Sequence, residues 1–367
     1  MPIYMDRHDV SETVTAENVA QLHQQDLKIQ NQFNCRGLTY WFDDKRKTAF
    51  CLIEAPDEQS IHDMHKQAHG EVPHRVIEVD PKIVESFLGR IEDPQKAQNT
   101  ELNIIDDPAF RAIMVIDLVY HSLKELDAKS FTAFLQKYNQ CISPTINQFK
   151  GRIVEQQADY ILVSFKSIFE AIECAKNVQS SFEKLTLQNQ LDTGIKIGIS
   201  TGVPVTKENI IFEKAVKTAK RMCLISKAGI VVSSEVKELL AGENLNAILN
   251  DGQIYFLTPS EESFLHTLMN FTESKWNNEH VSVDDFNLLG FSKSQVYRKI
   301  TELTGKSPSS FLKEYRLKKS LQLLRKNEPN VSEISTMVGF GSPSYFSKCF
   351  KQKYLISPSD YIPSRGN

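Results

Sequence analysis

The strongest constraint on this chain is where strands stop. From Ile3 to Leu257, short apolar runs alternate with stretches of helical period; beyond Pro259-Ser260 no strand pattern appears. A chain of 367 residues with such a change of period is expected to fold as two or three units, mixed α+β first and all-α last. The best membrane candidate, Ala112–Val119, is short and carries Asp117, so no span is expected. Met1–Val10 is charged where an export signal needs an apolar core. The six cysteines are scattered without a CxxC pair, which fits a reducing cytoplasm and argues against a zinc ribbon.

The net charge of −3 conceals a division. Residues 290–367 carry 14 Lys and Arg against 5 Asp and Glu, whereas 1–289 carry 29 against 41. A basic terminal segment on an acidic body is a nucleic-acid footprint, although a solvated lysine-rich helix face has the same composition. Histidine is lopsided at the other end: six of nine fall in the first 74 residues.

Ile3–His8, Leu38–Phe42, Thr48–Glu54 and Arg75–Val79 read as strands, with helices from Thr15 to Phe33 and from Pro56-Asp57 to Gly70. The order is βαββαβ, the ferredoxin-like arrangement. Asp93–Thr100 reads as a linker. Ala112–Val119 suits a central strand, followed by a helix from Asp127 to Phe149, a hairpin in Gly151–Phe165 and a helix over Ser167–Lys184. Strands at Gly194–Thr201, Gly229–Ser233 and Gln253–Leu257 and a helix at Glu213–Ile225 complete an α/β unit. The expected division is 1–92, 108–258 and 261–367.

Two helix-turn-helix patterns lie in the last unit. Val283–Leu289, Gly290 and Ser292–Leu303 form the first; Val331–Val338, Gly339 and a helix from Pro343 behind Ser342 form the second, 49 residues on. A helix over Pro308–Lys326 joins them and carries Arg316, Lys318, Lys319, Arg325 and Lys326. Two such units on a stiff helix can enter successive major grooves about 34 Å apart. The stretches LTGKSPSSFLKEYRLKKS, VGFGSPSYFSKCFK and SPSDY resemble the DNA-binding domain of AraC/XylS-type regulators. The resemblance implies that Ser294, Tyr297 and Arg298 face the groove from the first recognition helix, and Ser344, Tyr345 and Lys348 from the second. Arg298 is the candidate for a bidentate guanine contact, and Lys351 and Lys353 for phosphate contacts. Tyr297 and Tyr345 also suit packing at a helix junction.

His62, His65 and His69 share a helical face, and His65 and His69 have the i, i+4 spacing that chelates one ion. Asp6, His8, His23, Asp26, Cys51 and His74 could add ligands once strands assemble, and imidazole suits nickel, zinc or copper. An exposed histidine stripe without function has the same spacing. MPIYMDRHDV, FCLIEAP and MHKQAHGEVP resemble a small ferredoxin-like family described as nickel-binding. That resemblance implies His65 and His69 as metal ligands first, then His8, Cys51 and His23, with nickel or another transition metal as cofactor.

MVIDLV, GRIVEQQADYILVSF, KIGISTGVPV and AVKTAKRMCLISKAGIVVSSEV resemble a class III adenylate/guanylate cyclase domain. In that family two carboxylates hold divalent ions over the triphosphate, and an arginine stabilises the transferring phosphoryl group. Asp117, Asp159 and Arg221 stand at those positions. Lys217 replaces the expected asparagine, Ala158-Asp159-Tyr160 the usual Gly-Asp-Gly, and Glu155 and Ile210 the purine readers. A buried glutamate and an isoleucine cannot reproduce the purine hydrogen bonds. The domain is therefore expected to be degenerate, not an enzyme, and to serve dimerisation; nucleotide binding stays open. The chain as a whole is expected to be a cytoplasmic, DNA-binding transcription regulator. Double-stranded DNA, a second copy of the chain and RNA polymerase are its implied partners, with no membrane. The alternative is a nucleotidyl cyclase fused to a DNA-binding output.

Overall fold

A computed structural model describes residues 1–94, 102–123, 128–157, 159–189, 192–242, 248, 252–281, 285–286, 290–325 and 330–361. Its first sheet holds β1 (Ile3–Asp9), β2 (Arg36–Asp43), β3 (Thr48–Glu54) and β4 (Arg75–Glu78), all antiparallel, in the order β2-β3-β1-β4. Helices α1 (Ala16–Ile29) and α2 (Glu58–Ala68) supply the crossovers, so the unit is ferredoxin-like. A capping box from Thr15 starts α1, and the Asp57 side chain caps α2 by accepting from Ser60 N. The expected helix to Phe33 ends at Ile29 and gives way to a tight turn over Gln30–Phe33.

Alternation along the strands buries both faces of this sheet. Tyr4, Tyr40, Phe42, Cys51 and Ile53 pack under α1 and α2 with Val19, Ile61 and Met64. Met5, Trp41, Phe50, Leu52 and Ile77 point the other way, against α3 (Pro81–Leu88) and the next sheet. Helix α3 is not among the sequence expectations, although Asp80 caps it, Pro81 opens it and Gly89 closes it at φ 90°.

The second sheet has six strands in the order β10-β9-β8-β5-β7-β6. They are β5 (Arg111–Tyr120), β6 (Arg152–Gln156), β7 (Tyr160–Phe165), β8 (Thr193–Gly202), β9 (Ile230–Val232) and β10 (Ile254–Phe256). Even positions of β5, from Ala112 to Tyr120, bury against α4 (Ala128–Gln148) and α5 (Ile168–Asn189), and Ile113 and Val115 face α6 (Glu213–Met222). A short α7 (Ser234–Gly242) follows β9. The first unit is tied to this sheet by Arg111. Its guanidinium, buried in the core, donates to Pro108 O (2.6 Å), Phe110 O (2.9 Å), Leu88 O (3.2 Å) and Phe87 O (3.3 Å), so it closes the end of α3 onto the start of β5.

From Pro259 on, the described residues are helical or irregular: α8 (Pro259–Lys275), α9 (Lys293–Thr304), α10 (Pro308–Arg325), α11 (Val331–Met337), α12 (Pro343–Tyr354) and α13 (Pro358–Tyr361). The helix expected over Val283–Leu289 falls largely outside the described residues, as do Ala158, Lys326 and most of the expected linker. Among the described residues no helix is long and apolar enough to cross a membrane.

Candidate metal centre and nucleic-acid interface

Period-2 alternation sends Tyr4, Asp6 and His8 of β1 to the helix-covered face. Asp26 lies on α1, His65 on α2, and His69 is the residue that ends α2. The result is a buried polar knot. His65 is 1% exposed and sits between two carboxylates, with Nε2 2.9 Å from Asp6 Oδ2 and Nδ1 3.1 Å from Asp26 Oδ1. His69 Nε2 is 3.2 Å from both His65 Nδ1 and Asp26 Oδ1, and Cys51 N donates to Asp6 Oδ1 at 2.7 Å.

Burial alone would push the His65 imidazole down, but its hydrogen bonds to Asp26 and Asp6 and their charges hold it at about 10. Burial likewise opposes ionisation of Asp6, yet His8 and His65 hold its carboxyl well below the usual range. Burial and the Asp6 charge push the Cys51 thiol far up.

The donors form two groups whose ligand atoms lie within 4.8 Å of one another: Asp6, His8 and Cys51, and Asp26, His65 and His69. The buried Nε2 of His23 makes no hydrogen bond, and that of His8 has only a loose ion pair with Asp6 Oδ2 at 3.3 Å. Imidazole nitrogens so lightly engaged, with carboxylates and a thiol close by, suit a transition ion. His23 is buried beside Tyr40 and outside both groups, and His62 is half-buried and takes no part in them. Asp6 and Asp26, considered from sequence only as additional ligands, are central to the geometry.

The two helices expected to read DNA are α9 and α12. Ser292 caps α9 in a capping box, and Ser342 caps α12 by accepting from Tyr345 N. Ser294, Tyr297 and Arg298 are exposed while Val296, Ile300 and Leu303 are buried. Ser344, Tyr345, Lys348 and Lys351 are exposed while Phe346, Cys349 and Phe350 are buried. Tyr297 is 53% and Tyr345 54% exposed, and the Tyr345 ring also lies against Phe340, with ring centroids 5.8 Å apart. Arg298 has only a loose contact with Glu302 at 3.8 Å. Gly339 makes the second turn at φ 75°, and a Cβ there would stand 2.9 Å from Trp276 O.

Three cations of the linker helix, Arg316, Lys318 and Arg325, are engaged within the chain. Arg316 donates to Trp276 O (2.6 Å) and Asn278 O (2.7 Å). Lys318 is paired with Asp117, and Arg325 Nη1 is 2.8 Å from Asp159 Oδ2. Lys353, expected on phosphate, is 3.0 Å from Glu314.

Asp117 and Asp159 come together as the resemblance implied: Asp117 faces Tyr160 across β5 and β7, and Leu118 N donates to Asp159 O at 2.8 Å. Arg221 on α6 is held by α8, with Nη2 2.6 Å from Glu273 Oε2 and 2.7 Å from Asn270 Oδ1, and Nη1 2.9 Å from His266 Nδ1. Lys217 pairs with Glu213. Glu155, expected to be buried, is half-exposed on an edge strand and accepts from Gln157 Nε2, and Ile210 is 62% exposed. A cavity of about 740 Å³ opens between the second sheet and helices α8 and α10; Asp117, Asp159, Lys220, Arg221, Trp276 and Lys318 are among its walls.

Comparison with known proteins matches two segments to family models. Residues 4–79 match the nickel responsive protein SCO4226-like family, and residues 287–363 match a helix-turn-helix domain. The chain is 41% identical over 113 residues to Histidine kinase P4 of Formosa agariphila, covering 29% of this chain and 8% of that one. It is 34% identical over 94 residues to the HTH-type transcriptional regulator MtrA of Neisseria gonorrhoeae, covering 26% and 30%. An adenylate/guanylate cyclase/hydrolase structure from Silicibacter pomeroyi is 28% identical, covers 36% of this chain and 81% of that one, and superposes with a TM-score of 0.32. The chain thus spans less than a third of the length of these two curated relatives. It carries an SCO4226-like unit over 4–79 and an AraC-type helix-turn-helix unit over 287–363, and Putative adenylate cyclase 3 of Rhizobium meliloti is among its sequence relatives, 27% identical over 136 residues.

Proposed function

We propose that this combination makes a transcription regulator: a metal-sensing unit over 1–92, a non-catalytic cyclase-like unit over 108–258 and a DNA-reading unit over 261–367. The observation that carries DNA reading is the pair of exposed recognition faces, set on buried apolar faces within a matched helix-turn-helix segment. In this reading Arg298 and Lys348 contact base edges, Ser294, Tyr297, Ser344 and Tyr345 line the groove, and Lys351 touches phosphate. The linker helix, with Arg316, Lys318 and Arg325 spent on contacts within the chain, serves to hold the two readers at fixed separation.

Nickel or another transition ion is the proposed effector. Asp6, His8, Cys51, Asp26, His65 and His69 would hold it, supported by the two donor groups and by the name of the matched family. A bound ion would supply a cross-link among these groups, to which histidine contributes as neutral imidazole, cysteine as thiolate and aspartate as carboxylate. Ligation therefore requires His65 and Cys51 to give up protons that the metal-free protein holds tightly. Cytoplasmic location, a second copy of the chain and RNA polymerase belong to the same proposal.

The non-catalytic reading of the middle unit is supported by the pairing of Asp117 and Asp159 with Lys318 and Arg325. The test of the whole is selection of bound DNA from a random pool by the full chain, with and without nickel. Enrichment of two half-sites about one helical turn apart, with an affinity that changes with nickel, is the expected result. No enrichment refutes the DNA reading, and equal affinity in both arms refutes the metal effector.

A further inference from the structure

The three side chains that the cyclase resemblance implies as metal-binding and transition-state groups are all buried, Asp117 and Asp159 at 7% exposed and Arg221 at 5%. Each is engaged by the helix-turn-helix unit, and each by the opposite sign. Lys318 meets Asp117, Arg325 meets Asp159, and Glu273 meets Arg221 through two contacts, 2.6 and 3.2 Å, backed by Asn270 and His266. Lys318 and Arg325 are seven residues apart on α10, which puts them on one face about 10.5 Å apart along its axis. Tyr361 from the end of the chain accepts from Arg325 Nε at 2.7 Å and holds that guanidinium in place.

This arrangement does not fit divalent ions at the carboxylates. Both acids are already paired with cations of the chain, and Lys220 and Lys319 add two more positive charges to the walls of the same cavity. Neither of those two lysines has a carboxylate partner among the described residues; Lys220 lies over the Tyr160 ring and Lys319 over Trp276 and Tyr315. An incoming metal would have to expel Lys318 and Arg325 and then sit among like charges.

We propose that the cyclase-type constellation of Asp117, Asp159 and Arg221 is a docking surface for the chain's own DNA-reading unit, with the Lys318 ammonium and the Arg325 guanidinium serving as its cations. The proposal rests on the reading of 261–367 as that unit. Its consequence follows from connectivity. Helix α10 joins the two helix-turn-helix units, so holding α10 sets both recognition helices relative to the second sheet. Strand β5 carries Asp117 towards one end and Arg111 at the other, and Arg111 grips α3 of the metal-sensing unit. One strand therefore spans the path from sensor to reader, and the dock is its last joint.

Hydrogen exchange of the full chain tests this, because it reads the dock without requiring DNA. Asp159→Asn and Arg325→Glu should each speed amide exchange in α10 by about tenfold or more while leaving β1 and β3 unchanged. The swapped pair Asp159→Arg with Arg325→Asp should restore most of that protection, as a direct pair requires. Unchanged exchange in the single variants, or no rescue by the swap, overturns the dock. Should a reversed variant fail to fold, manganese binding decides: the wild-type chain should bind it at least about tenfold more weakly than Lys318→Ala with Arg325→Ala. Equal affinity overturns the proposal. If the dock holds but no DNA is selected, the function assigned to 261–367 fails by itself.

Discussion

Two buried clusters in this chain pair two carboxylates with cations, and they differ in whether the cation can change. Around His65 the cation is an imidazolium between Asp6 and Asp26; around α10 it is an ammonium and a guanidinium against Asp117 and Asp159. An imidazolium can lose its proton and become a metal ligand, whereas a guanidinium cannot in the physiological range. The same electrostatic motif thus makes an exchangeable site under the helices of the first sheet and a fixed joint beside β5 of the second. The chain's two tryptophans divide between them: Trp41 is buried in the first unit, and Trp276 lines the cavity at the joint.

The largest effect should come from unbalancing the exchangeable cluster. Asp6→Ala removes an acceptor of His65 and of Cys51 N in a site sealed from water. It should cost about 3–5 kcal/mol in the metal-free chain, because a buried charge is left underpaired. Urea unfolding followed by Trp41 in a Trp276→Phe background measures this, and a loss below about 1 kcal/mol would show that the cluster is wetter than its burial indicates. Asp117→Asn at the joint should cost less, about 1–2 kcal/mol, since Lys318 is half-exposed and can turn to solvent.

Titration should separate the clusters next. His65 is held at about 10, above its ordinary value, so its contribution is complete below about pH 6.5 and fades as pH rises towards 10. Asp6 is held below its ordinary value, so its contribution is present above about pH 4 and is lost as pH falls. The metal-free first unit should therefore lose stability from pH 7 to 9.5. Desolvation would lower the Lys318 ammonium, but Asp117 holds it above its ordinary value, so the joint should keep its stability over that range. Trp41 and Trp276 unfolding midpoints at the two pH values check both; a parallel fall would erase the distinction.

Much of the exchangeable cluster was legible because its signals are local. Tyr4, Asp6 and His8 share a strand face by period 2, and His65 and His69 share a helix face by i, i+4 spacing. The joint was not legible, because its partners are 201 residues apart for Asp117 and Lys318, and a lysine's sequence neighbours do not name its acid. The run of cations on α10 invited a nucleic-acid reading, yet the acidic body of the same chain is an equally good counter-charge, and proximity favours it. Helix α3 carried its own start and stop signals in Asp80-Pro81 and Gly89. It went unexpected because βαββαβ already closed the first unit, although both faces of that sheet were apolar and one still lacked a cover.

A third variant should be indifferent to both clusters. Arg298 is exposed and loosely paired, so Arg298→Ala should leave stability within about 0.5 kcal/mol. It should weaken binding to selected DNA by about 1–3 kcal/mol and relax base preference at one position. The loss should be the same with and without nickel, as read by fluorescence anisotropy. A loss that depends on nickel would mean that the sensor reshapes the reading face and does not merely place it.

The smallest effect tests the physical difference between the clusters most directly. The Lys318 side chain is 38% and the Arg325 side chain 22% exposed, whereas those of His65 and Asp6 are 1% and 0% exposed. Mobile ions can approach the first pair and not the second. The Debye length shrinks from about 10 Å at 0.1 M to about 3 Å at 1 M salt. Sodium chloride over that range should weaken the joint by under about 1 kcal/mol and leave the His65 cluster unmoved. Chloride is the suitable anion, because sulfate would strengthen apolar burial everywhere and mask a change this small. The Trp276 midpoint should therefore fall relative to that of Trp41. If the two move together, the joint is as closed to solvent as the sensor cluster, and its permanence comes from burial, not from the chemistry of lysine and arginine.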